Sequence, residues 1–379
     1  MIVENINNSG TRPRILVVPL DWGLGHATRC IPVIRSLMEH NDVVLAGEGA
    51  VVVLLQKEFP DIPILFLKGY RIKYSRHKSL FALKILIQFP GIIAAIRQER
   101  KWLKRIITSE RIDAVISDNR FGLFNKNIPC IYITHQLHIQ AGNNMFNKIA
   151  QRIHYHFINK FAACWVPDNK NGQTIAGILS HPLVLPKVPV DYLGVLSRCK
   201  RTVTVKKYDF LLLISGPEPQ RSIFENILLK AFEKSPLSLA IVRGLPGNNI
   251  PLKISNSKVI IFDHLAADDL CRLIQECESV IARSGYSTIM DLVTLQQKAV
   301  LIPTPGQTEQ EYLAGYLMEQ KLFYTILQEN ISQENIEAAM HSWEPDFSNI
   351  SAEMDKAVIT QWLQTVFNAK LSINTGSST

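Results

Sequence analysis

Two consecutive strand–loop–helix units in residues 279–314 constrain this chain more than any other stretch. The apolar run 280–282 ends in Arg283-Ser284-Gly285-Tyr286-Ser287-Thr288, ahead of the helix-like Ile289-Met290-Asp291-Leu292-Val293. The next run, 299–303, ends in Thr304-Pro305-Gly306-Gln307-Thr308-Glu309-Gln310-Glu311, ahead of Tyr312-Leu313-Ala314. Short apolar runs joined through helices predict parallel strands with both faces covered. In such a sheet the loops at the carboxyl ends of neighbouring strands share one rim. Arg283, the hydroxyls of Ser284, Ser287 and Thr288, and the amides near Gly285 can therefore converge on one ligand. A helix that starts there adds unbonded N–H groups and a partial positive charge, which suit a diphosphate. Asp291, one turn in, is placed for a ribose hydroxyl.

The N-terminal half has the same grammar. The β-branched run 14–19 stops in Leu20-Asp21-Trp22-Gly23-Leu24-Gly25-His26, and 27–38 reads as a helix. Gly23 and Gly25 allow close backbone approach, with His26 at the helix mouth. A dinucleotide fingerprint would need a third glycine where Thr28 stands, so NAD binding is not expected. Further strands are predicted at 42–46, 64–67, 113–117, 130–134 and 164–166. Two of them end in polar clusters on the rim of His26, Asp118-Asn119-Arg120 and His135-Gln136-Leu137-His138. His154-Tyr155-His156 sits among phenylalanines and reads as packing rather than a metal site.

A basic linker at 197–202, with Lys206-Lys207 beyond it, precedes a second α/β unit opening at 209–215. Its first turn is Ser215-Gly216-Pro217-Glu218-Pro219-Gln220-Arg221. Strands at 238–243 and 258–262 follow, the latter running into Asp263-His264-Leu265.

The run from Arg283 to Thr288 followed by Asp291, then an aliphatic strand to a proline, then Glu309-Gln310 and Ala314, resembles the nucleotide-sugar signature of family 28 glycosyltransferases. The resemblance implies the GT-B architecture, an α/β fold with two Rossmann-like domains facing across a cleft. It places an acceptor domain at 1–196, a linker at 197–207, a donor domain at 208–345, a last helix at 351–371 packing back on the first domain, and a frayed tail at 372–379. It implies donor contacts from Ser215, Gly216, Gln220, Arg221, the base-recognising stretch Phe262, His264 and Leu265, and from Arg283, Ser284, Gly285, Ser287, Thr288 and Asp291. Glu309 and Gln310 fall where family members bind the sugar hydroxyls. Gly23, Gly25, Asn119, Arg120, His135 and Gln136 fall on the acceptor side. His26 is the expected base, because an imidazole of ordinary pKa near 6.5 accepts a proton at neutral pH; Asp118 is the reserve. The sequence departs from the family in two places. Two prolines replace flexible glycines after Gly216 and remove amide donors, and only His135 and one amide match the polar cluster that members forming lipid II carry after the corresponding strand.

Charge is divided unevenly. Residues 1–201 hold 27 Lys and Arg against 13 Asp and Glu, and residues 202–379 hold 14 against 20. The basic half fits an anionic membrane face, a phosphorylated acceptor or a plain solvated surface; no nucleic-acid motif is present. The six cysteines form no CxxC pair and read as buried free thiols of a reducing compartment. The first dozen residues lack the apolar core of a signal peptide, which points to the cytoplasm. The basic aromatic loop 70–78 and the apolar stretch 79–95 resemble the device by which family members sit on the inner face of the plasma membrane; Lys84, Gln88 and Pro90-Gly91 argue against spanning it, and an ordinary core helix is the alternative.

The expected function is thus an inverting hexosyltransferase that needs no metal or other cofactor. It would move a sugar from a nucleotide diphosphate, a UDP-sugar such as UDP-GlcNAc, to a hydroxyl of a lipid-linked or cell-envelope glycan. A sugar-nucleotide 2-epimerase of the same fold and a non-catalytic sugar-nucleotide or lipid-carrier binding subunit are the alternatives.

Overall fold

The computed structural model describes residues 12–70, 81–139, 144–245 and 258–375, with side chains of 81–89, 144–146 and 368–375 excepted. The tip of the basic loop, the apolar side chains before Pro90, and the two termini fall outside it.

The first sheet contains β1 (Arg14–Val18), β2 (Asp42–Gly47), β3 (Ile64–Phe66), β4 (Ala114–Asp118), β5 (Cys130–Ile133), β6 (Ala163–Val166) and β7 (Val190–Tyr192). Its strands are all parallel, in the order β3-β2-β1-β4-β5-β6-β7. The second contains β8 (Tyr208–Leu213), β9 (Leu239–Val242), β10 (Val259–Phe262), β11 (Cys277–Ala282), β12 (Ala299–Leu301) and β13 (Tyr324–Thr325), parallel in the order β10-β9-β8-β11-β12-β13. Central strands such as β1 and β4 are buried nearly throughout because helices cover both faces, which is why they read as continuous rather than alternating apolar runs. The edge strands β7 and β13 escaped the sequence reading. They have three and two residues, too few to show a period.

Strand order reverses beside β1 in one sheet and beside β8 in the other, and a crevice opens at the carboxyl ends at such switch points. Three helices carry side chains to this crevice: α1 (Leu24–Met38), after β1; α7 (Tyr286–Leu295), after β11; and α8 (Thr308–Glu319), after β12. Behind them lie α2 (Ala50–Glu58), α3 (Phe81–Ser109), α4 (Asn144–Ile158), α5 (Gln220–Ala231), α6 (Ala267–Gln275), α9 (Gln333–Ser342) and α10 (Lys356–Thr375). The last of these starts five residues later than the sequence suggests. Residues 353–355 are held in an extended crossing, where Val195 N–H donates to Glu353 O at 3.1 Å, Asp355 N–H donates to Leu193 O at 2.8 Å, and Gly194 bridges Met354. Asp355 then accepts from the Ala357 amide, which opens the helix. Beyond the crossing, α10 packs on the first domain through Trp362 against Trp165, with ring centroids 5.3 Å apart, and through Lys356 to Glu39.

One expectation about cysteines is corrected. Cys199, in the linker, and Cys271, on α6, form a disulfide; Cys30, Cys130, Cys164 and Cys277 are free and buried. The linker runs along α6 and brings the two Cα atoms to 5.4 Å, within the range a disulfide requires, although the residues stand 72 apart in sequence. Alkylation of the denatured protein should modify four cysteines without reductant and all six with it. Six without reductant would show the bond absent. Among the described residues no helix is long and apolar enough to cross a membrane.

Candidate active site

The chain enters α1 through Gly23, whose φ of 122° is open to glycine and strained for other residues, and whose Cα faces open space. Helical spacing then sets His26 and Arg29 on one face, one turn apart. Asp118 is the last residue of β4 and fully buried, and β5 ends two residues short of His135. Because β4 lies between β1 and β5, these four side chains meet at one point of the rim.

His26 Nδ1 lies 2.9 Å from Asp118 Oδ2. Arg29 donates to Asp118 Oδ1 from Nε at 3.0 Å and also from Nη2. Its Nη2 is 2.8 Å from His26 Nδ1, and its Nη1 is 2.9 Å from His135 Nδ1. Burial and the adjacent Arg29 charge lower the His26 pKa, against the opposing pull of Asp118. Burial would raise the Asp118 pKa, but Arg29 and His26 overcome it and hold the carboxyl ionised. The result is a neutral imidazole in a partly open position, 19% exposed, oriented by a buried carboxylate. This arrangement accepts a proton at Nε2 and stabilises the imidazolium that forms. The two catalytic candidates are thus partners. Asp118, fully buried, is placed to orient the His26 imidazole.

The second domain closes on this cluster. Ser287 Oγ donates to Gly25 O at 2.7 Å, and a Cβ at Gly25 would sit a tight 3.1 Å from Ser287 Oγ. His135 stacks on Tyr286 at 4.0 Å, and its Nε2 lies 2.7 Å from Glu309 Oε1. Burial alone would raise the Glu309 pKa; His135 and then Arg29 more than offset it. Gly285, the residue before α7, has open space about its Cα, and Thr288 is half-buried in the first turn. Gly216 is exposed at φ 112° with open space, and Ser215 is half-buried beside it. These loops follow the adjacent strands β8 and β11 and so share one rim of the second sheet, where Ser287 meets the start of α1. Gln136, half-buried, lies beside His135, its amide bonded to Thr134 Oγ1. His264 is half-buried, and burial, then Lys57 and Arg198, lower its pKa; Phe262 and Leu265 pack partly into the core beside it.

Several predicted contacts are corrected. Arg120 is fully buried and bonded to Glu99 at 2.7 Å and to the Lys68 carbonyl, so it braces the N-terminal core rather than an acceptor. Asn119 accepts from Tyr132 Oη and takes a positive φ that turns the chain away from β4. Arg221 is held by Glu218, Glu225 and the Arg243 carbonyl. Arg283 stacks over Phe224 and donates to the carbonyls of Ile302 and Pro303 and to Gln328; burial pushes its pKa down to about 10. Ser284 donates to Gln310 O, and Gln310 Oε1 accepts from the Thr304 amide, so both order the loops from within. Gln220 turns its Oε1 into the protein, where it has no partner among the described residues. Except at Gln220, these polar residues pair with neighbouring backbone or side-chain groups, as buried donors and acceptors generally must.

Asp291 is the clearest case. Its Oδ1 accepts from Ser197 Oγ at 2.7 Å and its Oδ2 from Arg198 Nε at 3.1 Å, so both oxygens grip the linker. Asp291→Asn should lower the melting temperature, because it leaves Arg198 without its partner at a largely buried site, while nucleotide affinity stays unchanged in a titration. A selective loss of nucleotide affinity would restore the ribose role. The sequence reading missed Arg29 and Tyr286. The visible signal for Arg29 was its place one turn after His26.

Residues 245–367 match the model of the glycosyltransferase family 28 C-terminal domain. That segment, about a third of the chain, is similar to the family 28 C-terminal domain. Among curated proteins, the UDP-N-acetylglucosamine–N-acetylmuramyl-(pentapeptide) pyrophosphoryl-undecaprenol N-acetylglucosamine transferase of Prochlorococcus marinus is 30% identical over 135 residues, 34% of this chain and 37% of that protein. The match thus spans little more than a third of that relative's length. The transferase of the same name from Histophilus somni is 23% identical over 346 residues, 86% of this chain and 88% of its own. Among solved structures, the glycotransferase of kitacinnamycin superposes with a TM-score of 0.60 at 13% identity, covering 87% of this chain and 90% of that one. The segment that matches the family model therefore sits within a two-domain GT-B fold, the architecture expected from the sequence.

Proposed function

We propose that this chain is an inverting hexosyltransferase that moves a sugar from a UDP-sugar to a hydroxyl acceptor. The observation that carries the reading is the His26–Asp118 dyad, placed beside the helix start that holds Gly285, Ser287 and Thr288. Transfer builds positive charge on the anomeric carbon and negative charge on the departing diphosphate. Backbone amides of α7 and of the Gly216 loop, with Thr288, receive that negative charge. His26 Nε2 takes the proton from the acceptor hydroxyl as its oxygen attacks the opposite face, and the imidazolium rests against Asp118. The nucleotide sugar is a substrate, and neither a metal nor another cofactor has a part in the scheme. The relatives' names support UDP-N-acetylglucosamine as donor and a polyprenyl-linked acceptor. With such an acceptor the chain would work as a peripheral protein on the inner face of a membrane.

Calorimetric titration with UDP, GDP, dTDP and ADP, with and without magnesium, tests the donor half. Selective UDP binding that ignores magnesium and weakens in Thr288→Ala is expected. Binding to no nucleotide would remove the transferase reading and leave that of a lipid-carrier subunit.

A further inference from the structure

The polar contacts that lead away from Asp118 do not end at His26. A guanidinium has only donors, so a histidine nitrogen that Arg29 bonds must present a lone pair. At His26 the Nδ1 proton faces Asp118 Oδ2 at 2.9 Å, and the 2.8 Å approach of Arg29 Nη2 to that nitrogen is a close contact without a shared proton. Arg29 Nη1 is 2.9 Å from His135 Nδ1; that nitrogen accepts, and the ring proton must sit on Nε2. From there it donates to Glu309 Oε1 at 2.7 Å. The ring is fixed in its plane by Tyr286, stacked 6° from parallel and itself tied to the Pro167 carbonyl. A continuous line of directional bonds therefore joins Asp118 on β4, Arg29 on α1 and His135 after β5 to Glu309 on α8. It crosses from one domain to the other.

Each end of the line keeps one atom without a protein partner among the described residues: His26 Nε2 at one end, Glu309 Oε2 at the other. Both side chains are partly open, 19% and 23% exposed. A carboxylate oxygen held this way can only accept. Its fitting ligand is a neutral group rich in hydroxyl donors, which a sugar is and a phosphate is not.

Resting on the glycosyltransferase reading, we propose that Arg29 and His135 are positioning residues that lock Glu309 onto the transferred sugar in register with the His26 base. The sugar is then gripped correctly only when the domains stand where the base can reach the acceptor.

Two variants of one position separate this role from mere packing. His135→Phe keeps the stack on Tyr286 and removes both bonds, whereas His135→Gln keeps one acceptor and one donor. Losing a bond to a charged group should raise the KM for the UDP-sugar about tenfold or more in the Phe variant. The dissociation constant of UDP alone, which lacks the sugar, should stay within about twofold, and the Gln variant should recover most of the loss. An unchanged KM, a parallel loss of UDP affinity, or a Gln variant no better than Phe would overturn the proposal. Nitrogen-15 NMR of the wild-type imidazoles tests the wiring without turnover: His135 should carry its proton on Nε2, and a proton on Nδ1 would overturn it even if the Phe variant fails to fold. Wild-type protein that binds no UDP-sugar would instead remove the functional reading, while the tautomer still decides the wiring.

Discussion

Replacing His26 with alanine should lower kcat by about a thousandfold, the middle of the range for losing a general base, while the dissociation constant of UDP changes little. The expected nucleotide contacts lie on α7 and the Gly216 loop, and His26 belongs to the other domain. The acid limb of the kcat/KM profile should fall below pH 6.5, since burial and Arg29 hold the His26 pKa under its ordinary value. The same shift carries a stability cost of known sign. The unfolded chain takes up the His26 proton first as pH falls through 6.5, so this residue favours unfolding below that pH and is neutral above it. Full activity in the alanine variant would remove His26 as the base.

Asp118→Asn is the second large effect, and it acts on both rate and stability. Arg29 is almost fully buried with Asp118 as its anionic partner, and stripping one member from a buried pair costs about 3–5 kcal/mol because the remaining charge is stranded. The amide also ceases to raise the His26 pKa, so the acid limb should move further down while turnover falls. A variant that loses only stability would make Asp118 a scaffold residue. One that loses rate with an unshifted acid limb would separate orientation of the imidazole from its electrostatics. Chemical denaturation and a pH–rate profile on the same preparation read both.

The sequence made the architecture legible because the parallel sheets announce themselves. Runs such as Ile15–Val18 are apolar on both faces, and each empties into a Gly-rich or hydroxyl-rich turn at a helix start. It also placed His26, Asp118, His135 and Glu309 on one rim. What it could not give was how they are joined. Which side chains pair depends on strand order, and β1 beside β4 beside β5 follows from packing rather than from adjacency in the chain. Arg29 looked like one more charge on an amphipathic helix. Nor could it show that Arg120, Arg221, Arg283 and Asp291, polar residues at strand ends or in first helical turns, already have partners within the protein. Each had a backbone carbonyl, a carboxylate or a guanidinium closer to hand. A disulfide spanning 72 residues leaves no local trace at all.

The two passages of the chain between domains lie side by side, joined at Gly194 and Met354. Two separate flexible tethers would let one body tumble against the other in several directions. Adjacent strands bonded to each other hold the two passages in one register instead. Asp291 and Cys271 fasten the segment 197–199 to the second domain. Residues 193 and 194 are tied in turn to the first domain, Leu193 N–H donating to Val166 O at 2.8 Å and Gly194 N–H to Asp168 O at 3.0 Å, so the crossing is anchored to both bodies and a side chain at Gly194, whose φ is 70°, would drive into Glu353 O.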